Sequence, residues 1–90
     1  MSLKPYRSTA VFDDATLPAA LRSTHMTKPG VWGVIRVLEG TVRYTELDPP
    51  AEHILTTERP GLVHPERPHI VTPLEPMRMR IDFYNARPDI

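Results

Sequence analysis

Four histidines, His25, His53, His64 and His69, have the widest chemical reach of any side chains in this sequence. Neutral imidazole is a common nitrogen ligand for zinc, iron, nickel and copper, and it titrates near neutral pH. A catalytic metal centre takes about three protein ligands, often two histidines and a carboxylate, and keeps one position open. No HxH or HExxH spacing is present, so such a centre has to be assembled from separate strands. His25 stands in His25-Met26-Thr27-Lys28-Pro29-Gly30, just ahead of an apolar run. His69 follows Pro65-Glu66-Arg67-Pro68 and opens another. Asp82 lies inside an alternating run, where an acidic side chain is unfavourable unless exposed or paired. The plain readings are solvated or hydrogen-bonded histidines, and an ion pair between Asp82 and a neighbouring strand arginine. His64 ranks below His25 as an auxiliary ligand, and His53 has no partner in the pattern.

Other chemistries find little support. There is no cysteine, which excludes disulfides, thiolate catalysis and thiolate zinc sites. Serine occurs only at Ser2, Ser8 and Ser23, with no GxSxG around any of them. The four glycines are scattered, so no phosphate-cradling loop is formed. Trp32, Tyr44, Phe83 and Tyr84 could line a ligand pocket, but packing of a small core is the simpler role. Arg36, Arg78 and Arg80 could grip an anion, although strand arginines more often lie on a solvated face.

Eleven basic residues balance eleven acidic ones, with no basic block or stripe. A nucleic-acid partner and a polybasic membrane patch are therefore not expected. No apolar run approaches the roughly 20 residues of a spanning helix, and no signal peptide is read at the N-terminus. Met1-Ser2-Leu3 are set aside from the fold argument. The chain is expected to be cytoplasmic and to form one domain over residues 1–90. A small core and zero net charge favour a homodimer.

The elements that must position these residues are dictated by proline. Eleven prolines leave room for a single short helix, Thr16 to Arg22, with Thr16 as its cap. Elsewhere β-branched and aromatic runs alternate with turn signals. Strands are expected over Tyr6 to Phe12, Val31 to Leu38, Thr41 to Leu47, His53 to Thr57, Leu62-Val63, His69 to Thr72 and Met77 to Tyr84. Glu39-Gly40 turns the second into the third. The last strand alternates cleanly, with Met77, Met79, Ile81 and Phe83 on one face and Arg78, Arg80, Asp82 and Tyr84 on the other. The tail Ala86 to Ile90 is expected to fray. Short strands with turns every eight to twelve residues indicate a sandwich or small barrel.

Several segments together resemble one small family. They are Leu17-Pro18-Ala19-Ala20, His25 to Trp32, Val37-Leu38-Glu39-Gly40, Pro60-Gly61, Pro65-Glu66-Arg67-Pro68-His69 and Ile81-Asp82-Phe83-Tyr84. The chain is similar over nearly its whole length to the TehB-like small cupins, a domain family of unknown function named for the N-terminal domain of tellurite-resistance protein B. The resemblance implies an all-β, cupin-like double-stranded β-helix, a jelly-roll barrel with at most one short helix. It places His25, His69 and Asp82 at the polar barrel positions, and their nitrogen and oxygen donors would suit one divalent metal, zinc, iron, nickel or manganese. The full resistance protein continues into an S-adenosylmethionine-dependent methyltransferase. This chain stops at Ile90, so methyl transfer is not carried over.

The resulting expectation is a cupin binding or sensing module. It would hold a divalent metal or a small anionic ligand, in a stress or tellurite-resistance setting. The alternative is a metal-dependent cupin enzyme, an oxygenase, isomerase or epimerase. A third reading pairs the domain with a separate methyltransferase.

Overall fold

The computed structural model describes residues 4–90, so the reading of Met1-Ser2-Leu3 lies outside the described residues. Among the described residues, eight strands and one short 3-10 turn follow one another. They are β1 (Arg7–Ser8), β2 (Phe12–Asp13), the turn Ala19–Arg22, β3 (Trp32–Glu39), β4 (Val42–Leu47), β5 (Pro50–Leu55), β6 (Gly61–Val63), β7 (His69–Pro73) and β8 (Arg78–Tyr84). All strand pairs are antiparallel. One sheet runs β1-β8-β3-β6, with β2 also on β8, and the other runs β5-β4-β7.

The long hairpin β3–β4 turns at Glu39-Gly40, where Gly40 adopts φ 76°. A Cβ there would collide with the Pro76 carbonyl, so both the dihedral and the close approach require glycine. On β8, Met79 and Ile81 are buried in the core and Phe83 packs against it. The alternation of that strand is therefore real. On β4 the same period of two turns Val42, Tyr44 and Glu46 inward, all buried. Ile35, Val37, Val63, Met79 and Ile81 from the first sheet meet Val42, Tyr44, Leu55 and Val71 from the second in one core. Leu21 seals it from the 3-10 turn and Leu17 from just before that turn.

The two sheets are open, which corrects the jelly-roll expectation. Among the described residues β5 pairs only with β4 and β6 only with β3, so both are free edges. Closure needs a continuous ladder around the circumference. The segments that would carry it are too short: two residues in β1, two in β2 and three in β6. For β6 proline sets the length, since it donates no backbone hydrogen bond and Pro60 and Pro65 flank that strand.

Smaller expectations also shift. The first strand divides into β1 and β2, both on β8. The helix shortens to a 3-10 turn with no side-chain cap. Thr16 instead accepts a hydrogen bond from the Asp13 backbone N–H at 2.8 Å. The fifth strand begins at Pro50, where its missing N–H is harmless on an edge. The tail is not frayed throughout. The Arg87 guanidinium lies 5.6 Å from the centre of the Trp32 ring, and Pro88 is buried.

Candidate functional site

Between the two sheets lies a cavity of about 540 Å³, open to solvent and mostly apolar. Phe12 and Phe83 line it, His25 and His69 are its central polar groups, and Arg7 and Lys28 stand at its edge. No carboxylate lines it among the described residues.

The segment 22–31 delivers His25. Its far end is a turn in which the Val31 N–H donates to the Lys28 carbonyl at 3.0 Å, with Pro29 and Gly30 in the middle and Gly30 at φ 76°. The Thr27 hydroxyl donates to the Val31 carbonyl at 2.8 Å and tightens that turn. His25 and His69 exchange backbone hydrogen bonds of 3.0 and 2.8 Å, an isolated antiparallel bridge. His69 thus has β4 on one side and His25 on the other.

The two imidazoles meet edge to face, their centres 4.9 Å apart. The Tyr44 ring lies 5.3 Å from His69 on the inner side. Burial pushes both histidines below the ordinary imidazole pKa, and for His69 the neighbouring His25 adds to that effect. Near neutral pH both rings are therefore uncharged. His69 Nδ1 lies 2.9 Å from the Arg67 carbonyl. A carbonyl only accepts, so Nδ1 carries the proton and Nε2 keeps a free lone pair. The cavity wall thus holds a neutral base.

Asp82 is not brought to this pair. On β8 it alternates with Ile81 and Phe83, which line the cavity, so it faces the opposite side of the sheet. There it is 3% exposed and fully engaged. Ser8 Oγ donates to it at 2.7 Å, Arg36 Nε at 2.9 Å and Arg80 Nε at 3.0 Å. Burial pushes its carboxyl pKa up, but the bonds from Ser8, Arg80 and Arg36 outweigh this and hold it below the usual range. The arginine pairing weighed as the plain reading of the sequence is what the side chain makes. Among the described residues no group of three or more His, Asp or Glu side chains is arranged to hold a metal ion.

Three further groups lie nearby: Glu46, not singled out in the sequence, His53, given no partner there, and His64, weighed there as an auxiliary ligand. Glu46, 8% exposed, accepts from His53 Nε2 at 2.9 Å, and Arg67 lies 3.6 Å away. His53 stacks on the Tyr44 ring at 5.9 Å. His64 sits against Trp32, ring centres 5.1 Å apart. The alternation Val42, Tyr44, Glu46 was the available signal for Glu46, since it places that carboxylate on the inward face. Nothing local revealed the partners of His53 or His64, because these come from distant strands.

An open pair of antiparallel sheets with a histidine-walled cavity between them defines the class of protein. The chain belongs to the TehB-like domain family, which it matches over residues 7–81. It is 33% identical to the "Probable S-adenosyl-L-methionine-dependent methyltransferase TehB" of Haemophilus influenzae strain 10810, and equally to that of strain KW20. Those alignments cover 93% of this chain but 32% of each relative, so the chain spans about a third of their length. The crystal structure of TehB from H. influenzae superimposes with a TM-score of 0.81 at 32% identity, covering 91% of this chain and 31% of that one. A crystal structure of an E. coli K12 protein gives a TM-score of 0.84 at 25% identity, covering 91% of this chain and 89% of that one.

These findings correct the reading of the family as cupins of unknown function, since its relatives carry a methyltransferase name. They also displace the metal- or anion-holding cupin module, and with it the metal-dependent cupin enzyme. The cosubstrate named for the relatives is S-adenosylmethionine, not zinc, iron, nickel or manganese. No helix among the described residues is long and apolar enough to cross a membrane.

Proposed function

We propose that this chain serves S-adenosylmethionine-dependent methyl transfer on the acceptor side, seating a small nucleophile in the cavity between the sheets. The observation that carries this reading is the family match across the chain, together with a cavity whose wall bears a neutral base. A nucleophile that is to be methylated must lose or lack a proton, and His69 Nε2 is free to accept one.

The residues present do not fit S-adenosylmethionine itself. Its sulfonium is a cation, and the cavity offers Arg7 and Lys28 with no carboxylate. Among the described residues the all-antiparallel sheets also lack the parallel crossover and glycine-rich turn that commonly seat a nucleotide. On this reading a methyltransferase domain, in the same polypeptide or another, holds the methyl donor. The solved E. coli chain, of which 89% is covered, favours a domain that can stand as a unit of its own. The cytoplasm, where S-adenosylmethionine-dependent chemistry has its cosubstrate, is the setting this implies. Two copies are proposed to pair, because the core is small and the net charge is zero. Light scattering that returns a monomer mass at micromolar concentration would remove the pairing.

Equilibrium dialysis against labelled S-adenosylmethionine tests the division of labour. The chain alone should retain none above the buffer level. Stoichiometric retention by the chain would place the donor here and overturn the acceptor-side reading.

A further inference from the structure

The open edge between the sheets carries a second pocket, separate from the cavity described above. It is about 150 Å³ and lies between the free edge strands β5 and β6. Leu55, Pro60 and Leu62 supply its apolar surface, and Tyr44, Glu46, His53, Arg59 and His64 its polar groups.

Two of those polar groups have no partner. The Tyr44 hydroxyl and His64 Nδ1 are buried, and neither makes a hydrogen bond among the described residues. Tyr44 as a whole is 1% exposed. A buried hydroxyl without a partner is disfavoured by about 1–3 kcal/mol, so native structures rarely keep one without a reason. Burial pushes the Tyr44 phenol pKa up, with the Glu46 charge adding to it, so the hydroxyl keeps its proton and is a donor. Burial, and then Arg67, push His64 below the ordinary imidazole pKa, so its ring is neutral near pH 7. Glu46 gives Oε1 to His53, while Oε2 is 3.6 Å from Arg67, too far for a hydrogen bond. That oxygen retains accepting capacity.

The pocket therefore presents the buried Tyr44 hydroxyl as a donor and an unused carboxylate oxygen beside a small apolar wall, with Arg59 and the neutral His64 ring also lining it. A cation is disfavoured by Arg59, which lines the pocket, and by Arg67, 3.6 Å from Glu46. The complementary ligand is neutral, with an acceptor oxygen for Tyr44 and an N–H for Glu46.

We propose that the notch between β5 and β6 binds the carboxamide group of a small neutral molecule, its oxygen on Tyr44 and its N–H on Glu46. The ligand's short alkyl end lies on Leu55 and Leu62. This site is independent of methyl transfer, and its test does not involve a methyl donor.

Propionamide is the probe, and 2-butanone is its isostere without N–H donors. Heteronuclear NMR titration of the intact chain should show saturable shifts with propionamide, confined to the residues of the notch. Removing one hydrogen bond to a buried partner weakens binding by about tenfold. Tyr44→Phe should therefore weaken propionamide by about tenfold, and 2-butanone should bind more weakly than propionamide by a similar factor. His64→Phe keeps the ring against Trp32 and provides a second folded variant; it should weaken propionamide less than Tyr44→Phe does. Shifts that stay linear to high concentration would overturn the proposal and leave the notch to water alone. Equal affinity of Tyr44→Phe and the parent, or of the two probes, would overturn it as well.

Discussion

His25 and His69 face each other through two reciprocal backbone hydrogen bonds, and their imidazoles meet edge to face at 4.9 Å. This contact is what ties the segment 22–31 to β7, and it couples the cavity wall to proton concentration. Both folded-state pKa values are lowered, so the unfolded chain binds more protons in the acidic range.

Stability should accordingly be full above the unfolded histidine value of 6.5 and decline as the pH falls below it toward the lowered folded values. Urea unfolding between pH 7.5 and 5 measures this. His69→Phe keeps a ring in place and should flatten the decline. An unchanged slope in that variant would remove the histidine pair as its source.

Asp82 should behave as a structural anchor. Asp82→Asn leaves Arg36 and Arg80 without their shared carboxylate. Their side chains are 35% and 38% exposed, so water replaces part of the loss, and a destabilisation of about 2 kcal/mol is expected. Arg78→Ala breaks only the 3.9 Å contact with exposed Glu39 and should stay within about 0.5 kcal/mol of the parent. Chemical denaturation of both variants decides the matter. Similar midpoints would refute the anchoring role.

Two glycines with the same φ of 76° should respond differently to alanine. At Gly30 nothing lies within 4 Å of a new Cβ, so only the left-handed conformation counts, about 1 kcal/mol. At Gly40 the new Cβ also meets the Pro76 carbonyl and Met77, and overpacking adds about 1–3 kcal/mol. Gly40→Ala should therefore melt at a clearly lower temperature than Gly30→Ala. Equal melting temperatures would mean that the turn can shift to admit the methyl group.

Much of the strand pattern was legible in the sequence because a period of two is a local property. The faces of Met77–Tyr84 follow from that period, and so does the turn at Glu39-Gly40. Closure was not legible. Whether short strands join into a barrel depends on which edges find partners, and Pro60, Pro65 and Pro68 remove donors and length from the segments that would have joined. The site was half legible. His25 and His69 do meet, but the same alternation that marks β8 as a strand also turns Asp82 away from Ile81 and Phe83, and so away from the cavity. Glu46, His53 and His64 gather near Tyr44 through pairings between distant segments, which no spacing along the chain reveals.

A metal is not part of this account. Exhaustive treatment with EDTA should leave the melting temperature unchanged, as expected where no three-ligand cluster is present among the described residues. A fall of several degrees that is restored by one divalent ion would bring back a metal centre.

The acceptor-side role in methyl transfer is tested most directly by domain exchange. The third of H. influenzae TehB that matches this chain would be replaced by residues 1–90, and release of S-adenosylhomocysteine followed with a panel of small thiols, amines and inorganic oxyanions as acceptors. The exchanged protein should turn over well above a version lacking the domain, and His69→Phe within it should lower that rate with the fold intact. A rate no higher than that of the truncated protein, for every acceptor that intact TehB methylates, would contradict the account.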